Sequence, residues 1–174
     1  KINREKYGDT LPLSYQYEAS SAIYRILSNA DKEYSTWLHD NGFNLDPKKK
    51  FKLFTFSRIL GDYKIFKDTA RIKYFGEIVE WYVSFLPEQS TQKFIEGLFL
   101  NQTFEIGDKK STVQFHITCV EAMPEPICSE EMEFETQSPM CIKLRTEDGH
   151  IDYLSPKDVI SPYLVFTGLF DKYK

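Results

Sequence analysis

Cysteine is scarce in this 174-residue chain: Cys119, Cys128 and Cys141 are odd in number and stand nine and thirteen positions apart. No C-x-x-C pair occurs, so neither a thiolate zinc site nor a thioredoxin-type redox centre is supported. Long hydrophobic runs are missing as well. The longest nearly uninterrupted apolar stretch, Tyr163 to Phe170, falls far short of the roughly 20 residues that cross a bilayer. The opening Lys1-Ile2-Asn3-Arg4-Glu5-Lys6 is too polar for a secretory signal, and the chain therefore reads as intracellular and cytoplasmic. Glycine and proline number only eight each, with no internal repeat and no low-complexity tract, which excludes fibrous and disordered classes. G-x-G-x-x-G, P-loop, H-E-x-x-H, EF-hand and G-x-S-x-G motifs are all lacking. Nucleotide hydrolysis, zinc proteolysis, calcium sensing and hydrolase-elbow chemistry are thus unsupported.

What is present is a globular composition, 41% hydrophobic and 28% charged, of one domain or two small ones. A chain of this length buries about 70% of the surface its unfolded form exposes, so it needs no disulfide. Its net charge of −4 is unevenly spread: residues 1–74 hold 14 Lys/Arg against 9 Asp/Glu (+5), and residues 75–174 hold 8 against 17 (−9). The densest basic run, Lys48-Lys49-Lys50-Phe51-Lys52, continues through Arg58, Lys64, Lys67, Arg71 and Lys73 with Phe51, Phe54, Phe56, Tyr63 and Phe66 interleaved. Cations among aromatic rings suit a polyanion with stackable bases, and Lys48, Lys49, Lys50 and Arg58 are the candidate contacts to it. A solvated loop and an ordinary half-buried strand remain the plainer alternative.

Periodicity predicts a helix over Tyr17–Ala30, with Ala19, Ala22, Ile23, Ile26, Leu27 and Ala30 on one stripe, and a shorter one from Asp31 to about His39 that stops at Gly42. Strands are predicted at Phe51–Ser57, Arg71–Phe75 and Ile78–Phe85, then a helix over Ser90–Leu100 with Phe94, Ile95, Leu98 and Phe99 at helical spacing. Thr103–Ile106, a Gly107-Asp108 turn and Ser111–Met123 read as a hairpin. The Pro124-Glu125-Pro126 break and the acidic stretch Glu130–Glu135 suggest a boundary between domains 1–123 and 124–174. Beyond it come strands at Met140–Arg145 and Ile151–Tyr153, and a helix start at Ser155-Pro156-Lys157-Asp158 that Pro162 kinks or breaks. Given a first strand at or before Lys1–Asn3, the order is that of an α+β, ferredoxin-like (RRM-like) βαββαβ unit followed by the beginning of a second, incomplete one.

Three histidines could carry proton chemistry. His39 projects roughly 140° from the Tyr34/Trp37/Leu38 stripe and so faces solvent or a cleft, where imidazole, with an ordinary pKa of about 6.5, can exchange protons. Tyr24 projects roughly 130° from the stripe of its own helix, beside Tyr17 and Ser28. One outward His and one outward Tyr are commonplace on a surface. His116 points away from the main apolar set and His150 sits in a turn, and both read as surface residues.

Leu11-Pro12-Leu13-Ser14-Tyr15-Gln16-Tyr17, Ile23-Tyr24, Trp37-Leu38-His39 and Lys52-Leu53-Phe54-Thr55-Phe56-Ser57 follow one another in an order that resembles the N-terminal signature of the CRISPR-associated repeat-RNA endoribonucleases, the Cas-six family. Weaker similarity continues through Ile78–Phe85, Phe94–Phe99 and Gln137-Ser138-Pro139. The resemblance implies a tandem ferredoxin-like fold and metal-independent cleavage within the CRISPR repeat, leaving 5′-hydroxyl and 2′,3′-cyclic phosphate ends, with no cofactor. Family members with a Tyr/His/Lys triad carry it at positions matching Tyr24, His39 and Lys52. CRISPR repeat RNA is the implied partner, with effector-complex subunits and a second copy of the chain as further ones. The family's Gly-rich loop near the C-terminus has no counterpart before Lys174. Attack of a 2′-hydroxyl on its own 3′-phosphate needs a base, an acid for the 5′-oxygen and a cation for the phosphorane. His39 suits proton transfer, Lys52 supplies charge and Tyr24 can orient the hydroxyl or donate to phosphate; which group is the base stays open. A non-catalytic repeat-RNA-binding subunit and a ferredoxin-like interaction module are the other two readings.

Overall fold

Helix α1 (Gln16–Ala30) buries Ala19, Ala22, Ile23, Ile26 and Leu27, the i, i+3, i+4, i+7, i+8 set its spacing prescribes. Asp31 ends it and starts α2 (Lys32–Asp40), accepting the Tyr34 amide hydrogen bond at 2.8 Å as an N-cap. The Lys93 ammonium of α3 (Glu88–Leu100) donates to the same carboxylate at 2.6 Å. That bond holds the Asp31 carboxyl below, and the Lys93 ammonium above, their ordinary ranges. The corner between α1 and α2 is thereby tied to α3.

The computed structural model describes residues 1–173 apart from 6, 47, 48, 137–139 and 147, and for 44–46, 49, 50, 172 and 173 it describes the backbone alone. Lys48 and Gln137-Ser138-Pro139 thus lie outside the described residues, as do the side chains of Lys49 and Lys50. Contacts divide the chain into two units, Lys1–Glu121 and Ala122–Lys174. No helix among the described residues is long and apolar enough to cross a membrane.

In the first unit the opening strand is split into β1 (Ile2–Asn3) and β2 (Thr10–Pro12). β1 pairs antiparallel with β10 (Thr112–His116), which pairs with β9 (Thr103–Gly107); β2 pairs with β7 (Arg71–Tyr74), which pairs with β6 (Tyr63–Phe66). β5 (Phe54–Phe56) lies against β8 (Val83–Phe85), and Leu60 bridges Glu80. Residues 54–66 and 71–85 therefore form one long, interrupted antiparallel hairpin beside the opening strand. Strand, helices, hairpin, helix and a closing β9–β10 hairpin, whose β10 lies beside β1, follow the βαββαβ order, and the unit is ferredoxin-like.

Two core clusters share α1. Ala19 and Ala22 pack with Leu11, Ile72, Tyr74, Ile106, Val113 and Phe115 of the strands, whereas Ile23, Ile26 and Leu27 pack with Leu38 of α2 and Phe94 and Leu98 of α3. Full burial of each large aliphatic or aromatic side chain contributes about 1.5–3 kcal/mol. The small residues of α1 face the sheet, and its branched ones face the helices.

Several expected elements differ. Phe51–Ser57 is not one strand: β4 (Lys49–Phe51), paired with β3 (Phe43–Asp46), ends at Phe51, and Leu53 at φ +51° turns the chain before β5. Only Val83–Phe85 of the expected Ile78–Phe85 strand is regular, because the partner strand meets it beyond Tyr82 only through the Leu60–Glu80 bridge. β10 stops at His116, and Val120 and Met123 beyond it are exposed. In α3, Phe94 and Leu98 are buried but Ile95 and Phe99 face solvent, so its apolar stripe is narrower than the spacing implied.

The second unit has a hairpin of β11 (Ile142–Arg145) and β12 (Ile151–Leu154), turning at Gly149 with φ +85°, followed by α4 (Ser161–Tyr173). Ser155–Asp158 forms a turn closed by the Asp158 carboxylate on the Ser155 amide at 2.7 Å rather than a helix start. Pro162 does not break α4; it lies in the first turn, where the missing N–H leaves no bond unmade.

Candidate active site

Tyr24, His39 and Lys52 come from α1, α2 and the segment after β4. The Tyr24 ring meets His39 edge to face, with centroids 5.1 Å apart and planes at 79°, and meets Phe54 at 5.6 Å and 80°. Tyr24 is half-buried and packs against the helical core cluster rather than standing free on the surface. Burial pushes its phenol above the ordinary value near 10, so at neutral pH it keeps its proton and serves as a donor. The Ser35 hydroxyl donates to the Tyr24 carbonyl at 2.8 Å, joining α2 to α1 at this level.

His39 lies in the last turn of α2 with its side chain about two-thirds exposed, and its Nδ1 stands 2.8 Å from the Asp40 carboxylate. The Lys52 ammonium donates to the carbonyls of Leu38, at 2.7 Å, and of His39. These are orphan acceptors at a helix C-terminus, where a cation also meets the negative end of the helix dipole. Gly42 makes that approach possible. It adopts φ +62°, and a Cβ there would lie 2.7 Å from the Phe51 carbonyl oxygen and 3.4 Å from Lys52 Cδ. The glycine that reads in sequence as a helix stop also lets the Lys52 segment pass across the end of α2.

Arg58, between β5 and the Leu60 bridge, lies near enough to Tyr74 for its charge to act on that phenol, and so belongs beside the other core cluster. Lys49 is on β4, paired through its backbone to Asp46. Cys119, Cys128 and Cys141 are exposed free thiols, and His150 faces Asp152 at 3.5 Å.

An open cleft of about 610 Å³ forms on the strand face of the first unit, lined by Thr10, Phe66, Asp68, Arg71, Lys73 and Lys110 among others. Arg71 is held at 2.8 Å by Asp108 and Lys73 stands opposite Lys64 in the β6–β7 register, with the Lys64 ammonium 5.6 Å from the Phe66 ring. The cleft thus combines cations with an aromatic ring, and neither Tyr24 nor His39 lines it. Alternation along β7 was its signal in sequence: Ile72 and Tyr74 are buried, which turns Arg71 and Lys73 to the opposite face. Lys110 reaches the same cleft only through the β9–β10 turn.

The fold matches solved structures. That of a Cas6-related protein from Pyrococcus furiosus superposes with a TM-score of 0.71 at 22% identity, over 99% of this chain and 67% of that one. That of a RAMP protein described as binding different RNA substrates gives 0.65 at 22% identity, over 91% of this chain and 61% of that one. The chain therefore spans about two thirds of the length of these structures. No curated protein matches its sequence. The family model described as CRISPR-associated protein Cas6, N-terminal, matches residues 10–117, a span that holds α1, α2 and α3, the long hairpin and all three of Tyr24, His39 and Lys52. The chain belongs to the CRISPR-associated protein Cas6 family.

Proposed function

We propose that this protein is a metal-independent endoribonuclease that cleaves CRISPR repeat RNA for crRNA maturation, with Tyr24, His39 and Lys52 as its catalytic groups. The observation that carries the reading is the meeting of an imidazole, a phenol and an ammonium group around the end of α2. In the reaction the 2′-oxygen bonds to phosphorus as the bond from phosphorus to the 5′-oxygen breaks. A proton leaves the 2′-hydroxyl and another reaches the 5′-oxygen, giving a 2′,3′-cyclic phosphate and a 5′-hydroxyl. His39 performs one of these two transfers. Tyr24, protonated at neutral pH, donates to a phosphate oxygen or orients the hydroxyl. Lys52 places a positive charge beside His39, where the phosphorane gathers negative charge. The basic half of the sequence, Lys48, Lys49, Lys50 and Arg58 with the cationic strand-face cleft, holds the RNA backbone.

General acid–base help is worth a factor of about 10²–10⁴, or roughly 3–5 kcal/mol of barrier. With repeat RNA in EDTA, His39→Ala is expected to cleave slower by that factor while binding the RNA as before. Cleavage that depends on Mg²⁺, or that His39→Ala leaves untouched, overturns the reading. A second reading, a repeat-RNA-binding subunit without activity, draws on the engagement of the Lys52 ammonium by two main-chain carbonyls. Tight, salt-sensitive binding with no cyclic-phosphate product would establish it.

A further inference from the structure

His39 is exposed at a helix end, where an imidazole left to itself rotates and exchanges between its two neutral tautomers. Three constraints act on it. The Lys52 ammonium holds its main-chain carbonyl, the Tyr24 ring stands edge to face against its plane, and the Asp40 carboxylate lies 2.8 Å from Nδ1. An ionised carboxylate only accepts, so the proton of this hydrogen bond belongs to Nδ1. Among the described residues no side chain takes Nε2.

We infer that Asp40 is a positioning residue: it fixes His39 as the Nδ1–H tautomer and leaves Nε2 as the atom that exchanges a proton with the RNA. The inference rests on the proposed endoribonuclease reading and extends it to a residue outside the Tyr24, His39 and Lys52 set. As the bond between the 2′-oxygen and phosphorus forms and that to the 5′-oxygen breaks, His39 accepts the 2′-hydroxyl proton or supplies the 5′-oxygen proton, in either case at Nε2. Asp40 keeps the hydrogen bond to Nδ1 throughout. It orients the ring and stabilises the imidazolium without accepting the proton itself.

Long-range ¹H–¹⁵N correlation spectra of the ¹⁵N-labelled protein, at a pH where imidazoles are neutral, read the tautomer directly. With three histidines in the chain, the His39 pattern is assigned by its loss in His39→Gln. The expected pattern is Nδ1 protonated and Nε2 bare in the wild type, a mixture in Asp40→Ala, and the wild-type pattern largely kept in Asp40→Asn, whose amide oxygen still accepts. Single-turnover cleavage by Asp40→Ala should slow about tenfold at unchanged RNA affinity, the low end for an outer hydrogen-bond partner because this pair faces water. Asp40→Asn should recover most of that rate. A wild-type His39 protonated at Nε2 when neutral overturns the inference. So does an Asp40→Ala protein that cleaves at full rate while His39→Ala does not. Full cleavage by His39→Ala would instead remove the endoribonuclease reading, and the spectra would still decide whether Asp40 sets the tautomer.

Discussion

Gly97 lies toward the C-terminal end of α3 where it crosses α1, and replacing it by alanine tests the packing that carries Tyr24. A Cβ built at Gly97 would overlap the Ile26 carbonyl oxygen, stand 2.9 Å from the carbonyl carbon and 3.3 Å from Ile26 Cγ2. Carbon atoms in contact normally lie about 3.5–4.0 Å apart, so α3 must move by the order of 1 Å. The obstacle is main chain inside a helix, which cannot rotate aside. Overpacking of this kind costs about 1–3 kcal/mol, and the helix propensity of alanine over glycine returns up to about 1 kcal/mol. The net expectation is a loss of about 1–2 kcal/mol, or about 2–8 °C in Tm for a chain of this size. Thermal and urea unfolding followed by circular dichroism would measure it. Gly168, in α4 with nothing within 4 Å of its Cβ position, is the internal control. Gly168→Ala should leave stability unchanged or raise it by up to about 1 kcal/mol. A Gly97→Ala protein as stable as the wild type would refute the close crossing of α1 and α3.

The Asp108 carboxyl is held down to about 2, chiefly by the hydrogen bond from Arg71 and then by the amide of Ser111. A folded-state value below the unfolded one adds stability that is present above about 3.8 and is lost as pH falls toward 2. The urea midpoint of the wild type should therefore exceed that of Arg71→Met near neutral pH, and the gap should narrow between pH 4 and 2; a gap independent of pH sinks the assignment. In the strand-face cleft, Lys73→Ala and Lys110→Ala should each weaken repeat-RNA binding and flatten the plot of log K against log salt by about 0.7 per lost phosphate contact. Unchanged slopes in both variants would take the RNA path away from this cleft.

Much of the architecture was legible along the chain. The stripe of α1, the short helix after it, the extent of α3 and the Gly107-Asp108 turn are local features, set by which face of an element leaves water and by what a turn demands of its backbone. Tyr24 and His39 stood out because they depart from those stripes. Periodicity failed where backbone conformation is settled by a distant neighbour. Leu53 breaks an otherwise regular aromatic run, and Ile78–Trp81 lacks a partner for most of its length. Pro162 sits in the first turn of a helix that it was expected to kink or break.

The sequence by itself determined the ferredoxin-like order of elements and the basic character of its front half, since each depends on neighbours a few positions away, and its ordered resemblance to the Cas-six signature pointed to Tyr24, His39 and Lys52. Only the tertiary structure decided that the Tyr24 ring touches His39, that Lys52 lands on the end of α2 through the space left by Gly42, and that Gly97 faces Ile26. Those contacts join residues far apart along the chain. Their distances follow from how two packed elements cross, and no pattern within either element records that.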